Sequence, residues 1–231
     1  MTRLYKTYIK GFDKELGGGI PEGHILLIAG TPGTMKSSLS YYFLYYNIIK
    51  NDARGLYLSF EQSKKSLTFQ LKRMMMTMDP EQEERLQIVD LSRIRHTAGD
   101  YKSKNWLSII QKHLELLHNK YQFNLLVIDS LPVLEILSLI DEKRTKLFQF
   151  FEWLRELNLT TLIINEVSPD PNILRDEDFL ADGIIQLSLE RVGDIDIFRR
   201  IRCIKLRGMN HNTSIFTLEY KDGLFKITEA I

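Results

Sequence analysis

The sequence holds one cysteine, Cys203, so no internal disulfide framework can form and a reducing compartment is favoured. Cys203 falls in a strand-like run, where a buried, inert thiol is expected. Charge of one sign is missing too. Lys and Arg total 31 against 30 Asp and Glu, and the resulting +1 gives no bulk field of the kind that draws a protein to nucleic acid. No run approaches 18 apolar residues and the first nine residues carry no signal-peptide core, so no membrane segment is expected and the expected location is the cytoplasm. Linkers, low-complexity tracts and internal repeats are absent. The histidines, His24, His96, His113, His118 and His211, show no ligand spacing with carboxylates or thiols, so no zinc site is expected.

What is present fits one domain over residues 1–231, with 44% hydrophobic and 26% charged residues, enough to bury one core. Apolar runs at 25–29, 55–60, 125–128 and 161–164 read as buried strands, and 86–89 as a shorter one. They alternate with helical patterns at 36–50, 63–76, 106–119 and 141–157, the signature of a parallel α/β sheet. From Gly183 the pattern becomes successive strands at 183–189, 199–206, 214–220 and 224–227, the last two joined by a Lys221-Asp222-Gly223 turn. The expected fold is α/β: a mostly parallel central sheet flanked by helices, with antiparallel strands at the C-terminal edge.

Ligands of open α/β sheets collect at the carboxyl ends of the strands. After the first strand comes Gly30-Thr31-Pro32-Gly33-Thr34-Met35-Lys36-Ser37-Ser38, a P-loop layout between strand and helix. Backbone N–H groups of Thr31–Ser38 would hold phosphate oxygens, Lys36 would reach the β- and γ-phosphates, and Ser37 would ligate Mg²⁺. The departure is Met35, which stands where the pattern has its second glycine. Methionine is a poor fit to positive φ or to a crowded backbone, and Gly33 is expected to supply part of the missing freedom. Without a nucleotide, the same stretch reads as a Gly-Pro turn.

The other strand ends add polar groups to this rim: Glu61 and Gln62, Asp129 and Ser130, Asn165 and Glu166. Leu125-Leu126-Val127-Ile128-Asp129 is the Walker B pattern, with Asp129 beside Ser37 in the Mg²⁺ shell; the bland alternative is a turn-capping aspartate. Glu61 suits the general base for the attacking water, or else an exposed glutamate opening the next helix. Lys205 and Arg207 share a strand face before Gly208, and two fixed cations there suit a phosphoryl group and could act as fingers from a neighbouring subunit. Periodicity alone favours a solvated edge for them. Met74–Met76 and Met78 close a helix bearing Lys64, Lys65, Lys72 and Arg73, read as core packing below a solvated basic face.

These segments together resemble the KaiC-like branch of the RecA-superfamily ATPases, over about residues 11–227. Gly11-Phe12-Asp13 and Gly17-Gly18-Gly19-Ile20-Pro21-Glu22-Gly23 are similar to that family's entry segment, and Ser59-Phe60-Glu61-Gln62-Ser63 to its catalytic-glutamate segment, with Gln62 replacing a second glutamate. Val127–Leu131 is similar to its Walker B, and Ile204–Gly208 with His211 to the segment whose Lys and Arg contact a neighbour's nucleotide. The resemblance implies a RecA-like P-loop fold and a slow Mg²⁺-dependent ATPase. It further implies ATP at subunit interfaces of a homo-oligomer, a hexamer favoured, that signals nucleotide state to a protein partner. The segment from Asp176 to Asp182 has no hydroxyl residue between its ends, so autophosphorylation there is not expected. Alternatives are a non-hydrolysing ATP-dependent scaffold, a recombinase-like DNA-binding paralogue using Lys64, Lys65, Lys72 and Arg73, and a kinase acting on other proteins.

Overall fold

The computed structural model describes residues 3–92, 106–138, 143–166 and 176–229. His96 and the first two positions of the helix expected at 141–157 lie outside them. The chain opens with a two-stranded antiparallel ribbon, β1 (Leu4–Tyr5) and β2 (Ile20–Pro21), around the single-turn helix α1 (Phe12–Glu15). The ribbon depends on Gly19, where a Cβ would lie 2.6 Å from the Tyr5 carbonyl oxygen. Asp13 ties the turn by accepting the backbone N–H and hydroxyl of Thr7 (2.6 and 2.8 Å) and the N–H of Tyr8 (3.1 Å).

The strands that follow are β3 (Ile25–Gly30), β4 (Gly55–Ser59), β5 (Leu86–Asp90), β6 (Leu125–Asp129), β7 (Thr160–Glu166), β8 (Gly183–Val192), β9 (Asp196–Leu206), β10 (Phe216–Lys221) and β11 (Leu224–Glu229). Among the described residues they form one sheet, ordered β11-β10-β9-β8-β3-β7-β6-β4-β5. Pairing is parallel from β5 through β8 and antiparallel from β8 to β11. The mostly parallel sheet with an antiparallel C-terminal edge is therefore the fold that forms. The switch comes one strand later than the pattern suggests, because β8 pairs parallel with β3 from Leu26↔Gly183 to Gly30↔Leu187.

Strand side chains divide strictly between two cores. In β3, Leu26 and Ile28 enter one core while Ile25, Leu27 and Ala29 enter the other. Leu125 and Val127 of β6 likewise oppose Leu126 and Ile128. A strand covered on both faces reads as an unbroken apolar run, which is why these four- to six-residue stretches stand out. On the first face lie α2 (Lys36–Asn51), through Leu39, Tyr42, Phe43 and Leu44, and α3 (Lys64–Arg73), through Leu67 and Leu71. The short helix α4 (Pro80–Glu84) follows, opened by an Asp79–Gln82 capping box. On the second face lie α5 (Trp106–Tyr121), α6 (Leu131–Ser138) and α7 (Lys143–Glu156), and α8 (Asp176–Leu180) precedes β8.

Two boundaries differ from the pattern for local reasons. Helix α3 stops at Arg73 because Met74 N–H turns back onto the Gln70 and Leu71 carbonyls and Met75 adopts φ 57°. Strands β8 and β9 run on to Val192 and back to Asp196, where charged side chains hide the strand from a burial pattern. Cys203 is buried, and burial pushes its thiol up to about 11.

Candidate functional site

The loop after β3 is shaped by two close approaches. At Gly30 a Cβ would stand 2.5 Å from the Leu187 carbonyl oxygen and 2.9 Å from Thr34 Oγ1, so no side chain fits there. Thr34, itself buried, donates its hydroxyl to the Thr31 carbonyl at 2.8 Å and braces the loop from behind. Gly33 has φ 84° and Met35 has φ 72°, ψ 27°. Met35 thus takes the left-handed conformation that a glycine would take without cost.

Met35 also caps α2 without a side-chain hydrogen bond, and the first turn of this 16-residue helix contains no acidic residue. The positive end of the helix is left uncompensated and the first-turn N–H groups available, the arrangement that binds an anion. Lys36 Nζ lies 3.0 Å from the Thr31 carbonyl that accepts its proton. Burial lowers the Lys36 pKa, against the opposing charges of Glu166, Asp129 and Glu61.

The facing wall comes from β6 and β4. Asp129 is 3% exposed, and its Oδ2 accepts the hydroxyl of Tyr57, buried within β4, at 2.5 Å. Burial raises the Asp129 pKa, and the Tyr57 hydrogen bond works against that rise. The Ser37 hydroxyl is close enough to the Asp129 carboxylate to lower its pKa as well. Beyond β4, Ser59 Oγ donates to the Gln62 carbonyl (2.7 Å) and accepts the Gln62 N–H (3.2 Å), a closed turn that lifts Glu61 onto the rim. There Glu61 Oε1 accepts the Ser130 hydroxyl at 2.5 Å.

A cavity of about 320 Å³ opens between these walls. Of the residues singled out from the sequence, Pro32, Gly33, Met35, Lys36, Ser37, Ser38, Glu61 and Asp129 all line it, whereas Thr31 and Thr34 support the loop from outside. Glu166, noted only as a rim residue, lines it as well, and so does Gln70 of α3. Gln70 gave no signal, since one more polar residue on a polar helix has no distinguishing spacing. Tyr57 was hidden because it sits inside an apolar strand.

Lys205 and Arg207 lie elsewhere. The register carries Leu206 to Gly183 and Gly183 to Leu26, so they flank a level near the start of β3, four residues, or about 13 Å along the strand, from Gly30. Lys205 Nζ donates to the carbonyls of Ala181 (2.7 Å) and Asp178 (3.1 Å), and Arg207 Nη2 to that of Phe179 (2.9 Å). Burial, and next the Arg207 charge, lower the Lys205 pKa. In one copy, then, the two cations are turned away from its own P-loop.

The residues Lys36, Ser37 and Asp129 form a donor set suited to a Mg²⁺–nucleotide: a cation and helix N–H groups for phosphates, and a hydroxyl and a buried carboxylate for the metal. The fold and the sequence both match known proteins. An archaeal KaiC-like protein of Pyrococcus horikoshii superposes with a TM-score of 0.82 over 99% of this chain and 100% of its own, at 24% identity. The circadian clock oscillator protein KaiC of Nostoc is 29% identical over 220 residues, which span 89% of this chain and 40% of that protein. This chain thus corresponds to about two fifths of the clock proteins it matches. A UPF0273 protein of Thermotoga maritima is 29% identical over 96% of this chain and 94% of its own length. The sequence model of the family described as "ATPase: KaiC" matches residues 5–230, and the chain belongs to that family.

Proposed function

We propose that this protein binds ATP with Mg²⁺ in the cavity between α2 and β6 and hydrolyses it slowly. The observation that carries the reading is the meeting of Lys36, Ser37, Asp129 and Glu61 around one cavity at an uncompensated helix N-terminus. Lys36 and the backbone N–H groups of Thr31–Ser38, other than Pro32, which has none, bind the phosphates. Ser37 and Asp129 hold Mg²⁺, which offsets the charge developing on the phosphoryl oxygens when bound. Glu61 orients the attacking water and accepts its proton. Lys205 and Arg207 act on the nucleotide of an adjacent copy, so sites lie at the interfaces of a homo-oligomer, with a hexameric ring as the reading. Oligomer state then reports nucleotide state to a protein partner in the cytoplasm.

A second reading, an ATP-dependent scaffold without hydrolysis, is favoured by the Ser130 hydrogen bond that engages a Glu61 oxygen. Turnover measured with Mg²⁺ beside light scattering separates the two. The enzyme loses turnover in Glu61→Gln and loses nucleotide binding in Lys36→Ala. ATP-driven assembly of a parent protein that releases no phosphate would leave only the scaffold.

A further inference from the structure

Behind α3 lies a second cavity, of about 520 Å³, that shares no residue with the first. Helix α3 is the wall between them: Gln70 faces the nucleotide side, while Thr68, Leu71 and Lys72 face the other. The floor is apolar, built from Leu71, Met76 and Leu86, all buried, with Ile88 and Met78 beside them. Lys64, Thr68 and Lys72, spaced by four, stack along one face of α3 and bring two ammonium groups to the mouth. Neither ammonium has an ion pair or hydrogen bond among the described residues.

Tyr41 adds a polar group to the cavity wall. It is 6% exposed, its ring packs on Tyr57 at 6.0 Å, and its hydroxyl has no hydrogen-bond partner among the described residues. Glu83, whose charge acts on that phenol, lines the same cavity. A phenol at a cavity wall with no protein partner is free to donate to an acceptor atom of a ligand. Two ammonium groups against the single Glu83 carboxylate leave one net positive charge.

We propose that this cavity binds a small monoanion with a compact apolar body. The apolar part lies on Leu71, Met76 and Leu86, the anionic group reaches Lys64 and Lys72, and an acceptor atom takes the Tyr41 hydroxyl. The volume is that of a small-molecule site. The single net charge disfavours a triphosphate, which separates this site chemically from the one across α3.

The probe is 8-anilinonaphthalene-1-sulfonate, titrated into the full chain by fluorescence, beside its uncharged relative N-phenyl-1-naphthylamine. Saturable binding of one sulfonate dye per chain is expected. Lys64→Ala with Lys72→Ala weakens it about tenfold or more, as for lost charge-assisted hydrogen bonds, and leaves the neutral dye little changed. Tyr41→Phe weakens the sulfonate dye while preserving the fold, and Lys36→Ala, across α3, does not affect it. Both lysines are exposed, so their removal is not expected to unfold the chain, and an unchanged melting temperature checks that. Equal loss of both dyes, unaltered sulfonate affinity in the double-lysine variant, or weakening by Lys36→Ala would overturn the proposal.

Discussion

Arg207 and Asp182 are joined twice. The Arg207 backbone N–H donates to the Asp182 carbonyl at 2.8 Å, and its Nη1 donates to Asp182 Oδ1 at 3.0 Å. The same carboxylate accepts the backbone N–H of Ile25, the first residue of β3, at 3.0 Å and the guanidinium of Arg155 at 3.1–3.2 Å. The far end of β9 is thereby pinned to the root of the strand that carries the P-loop.

Trans action by Arg207 has a direct test in mixed subunits. Glu61→Gln and Arg207→Ala are each expected to lower turnover by about 10²-fold or more. Mixing them restores a fraction of it, because an Arg207→Ala site keeps Glu61 and receives Arg207 from its neighbour. Phosphate release that stays at the level of the separate variants would place Arg207 outside the chemistry.

The structural share of this cluster is separable. Asp182→Asn leaves Arg155 and Arg207 without their carboxylate and is expected to destabilise by about 3 kcal/mol in chemical denaturation. Arg207→Ala removes a side chain that is 51% exposed, and the expected loss is under about 1 kcal/mol. A comparable loss in both variants would mean that Arg207 is chiefly a structural residue.

Asp129 couples stability to pH in a direction opposite to that of an ordinary ion-paired carboxylate. Its folded pKa is raised, chiefly by burial, so the folded state holds the proton more tightly than the unfolded chain does. That stabilisation is full below the unfolded carboxylate value of about 4 and is lost as pH rises through the folded value. Asp129→Asn should therefore raise the melting temperature at neutral pH, in chelator and without nucleotide, while abolishing Mg²⁺-dependent binding. Removing the Tyr57 hydroxyl in Tyr57→Phe removes a hydrogen bond that lowers the Asp129 pKa. The acid limb of Mg²⁺-dependent binding, followed by calorimetry across pH, then moves to higher pH.

Met35 already sits in the left-handed region, where a glycine is unstrained. Met35→Gly is expected to keep stability within about 1 kcal/mol, since relief of the left-handed conformation offsets the greater freedom of the unfolded chain. Met35→Ile places a β-branched side chain at φ 72° and is expected to cost about 1–2 kcal/mol. Nucleotide affinity falls with it. Denaturation midpoints for the pair decide the matter.

The sequence showed most clearly what is set by burial within a strand and by the residue that follows it. The runs ending at Ala29, Ile128 and Ile164 are apolar because two cores cover them, and their polar successors mark the rim. Lys36, Ser37, Glu61 and Asp129 were expected on one rim, and they line one cavity. The contacts of Asp182 with Arg155 and Arg207 were not legible, because they depend on the β8–β9 register across more than twenty residues. Gln70 and Tyr41 were missed for a related reason. Which side of a helix meets a cavity depends on packing that local periodicity does not specify. Two-residue strands such as β1 and β2 carry too little pattern to be read at all.

The placement of Lys205 and Arg207, turned away from their own P-loop, also bears on symmetry. On the proposed reading these cations meet the cavity of another copy, and where cavity and cations lie on opposite faces of the chain that contact is head-to-tail rather than two-fold. Such a contact propagates. An open string of copies always ends with one cavity that no neighbour completes, and only a closed ring serves them all. On the proposed reading, closure itself becomes measurable as the difference in turnover per chain between short assemblies and complete ones.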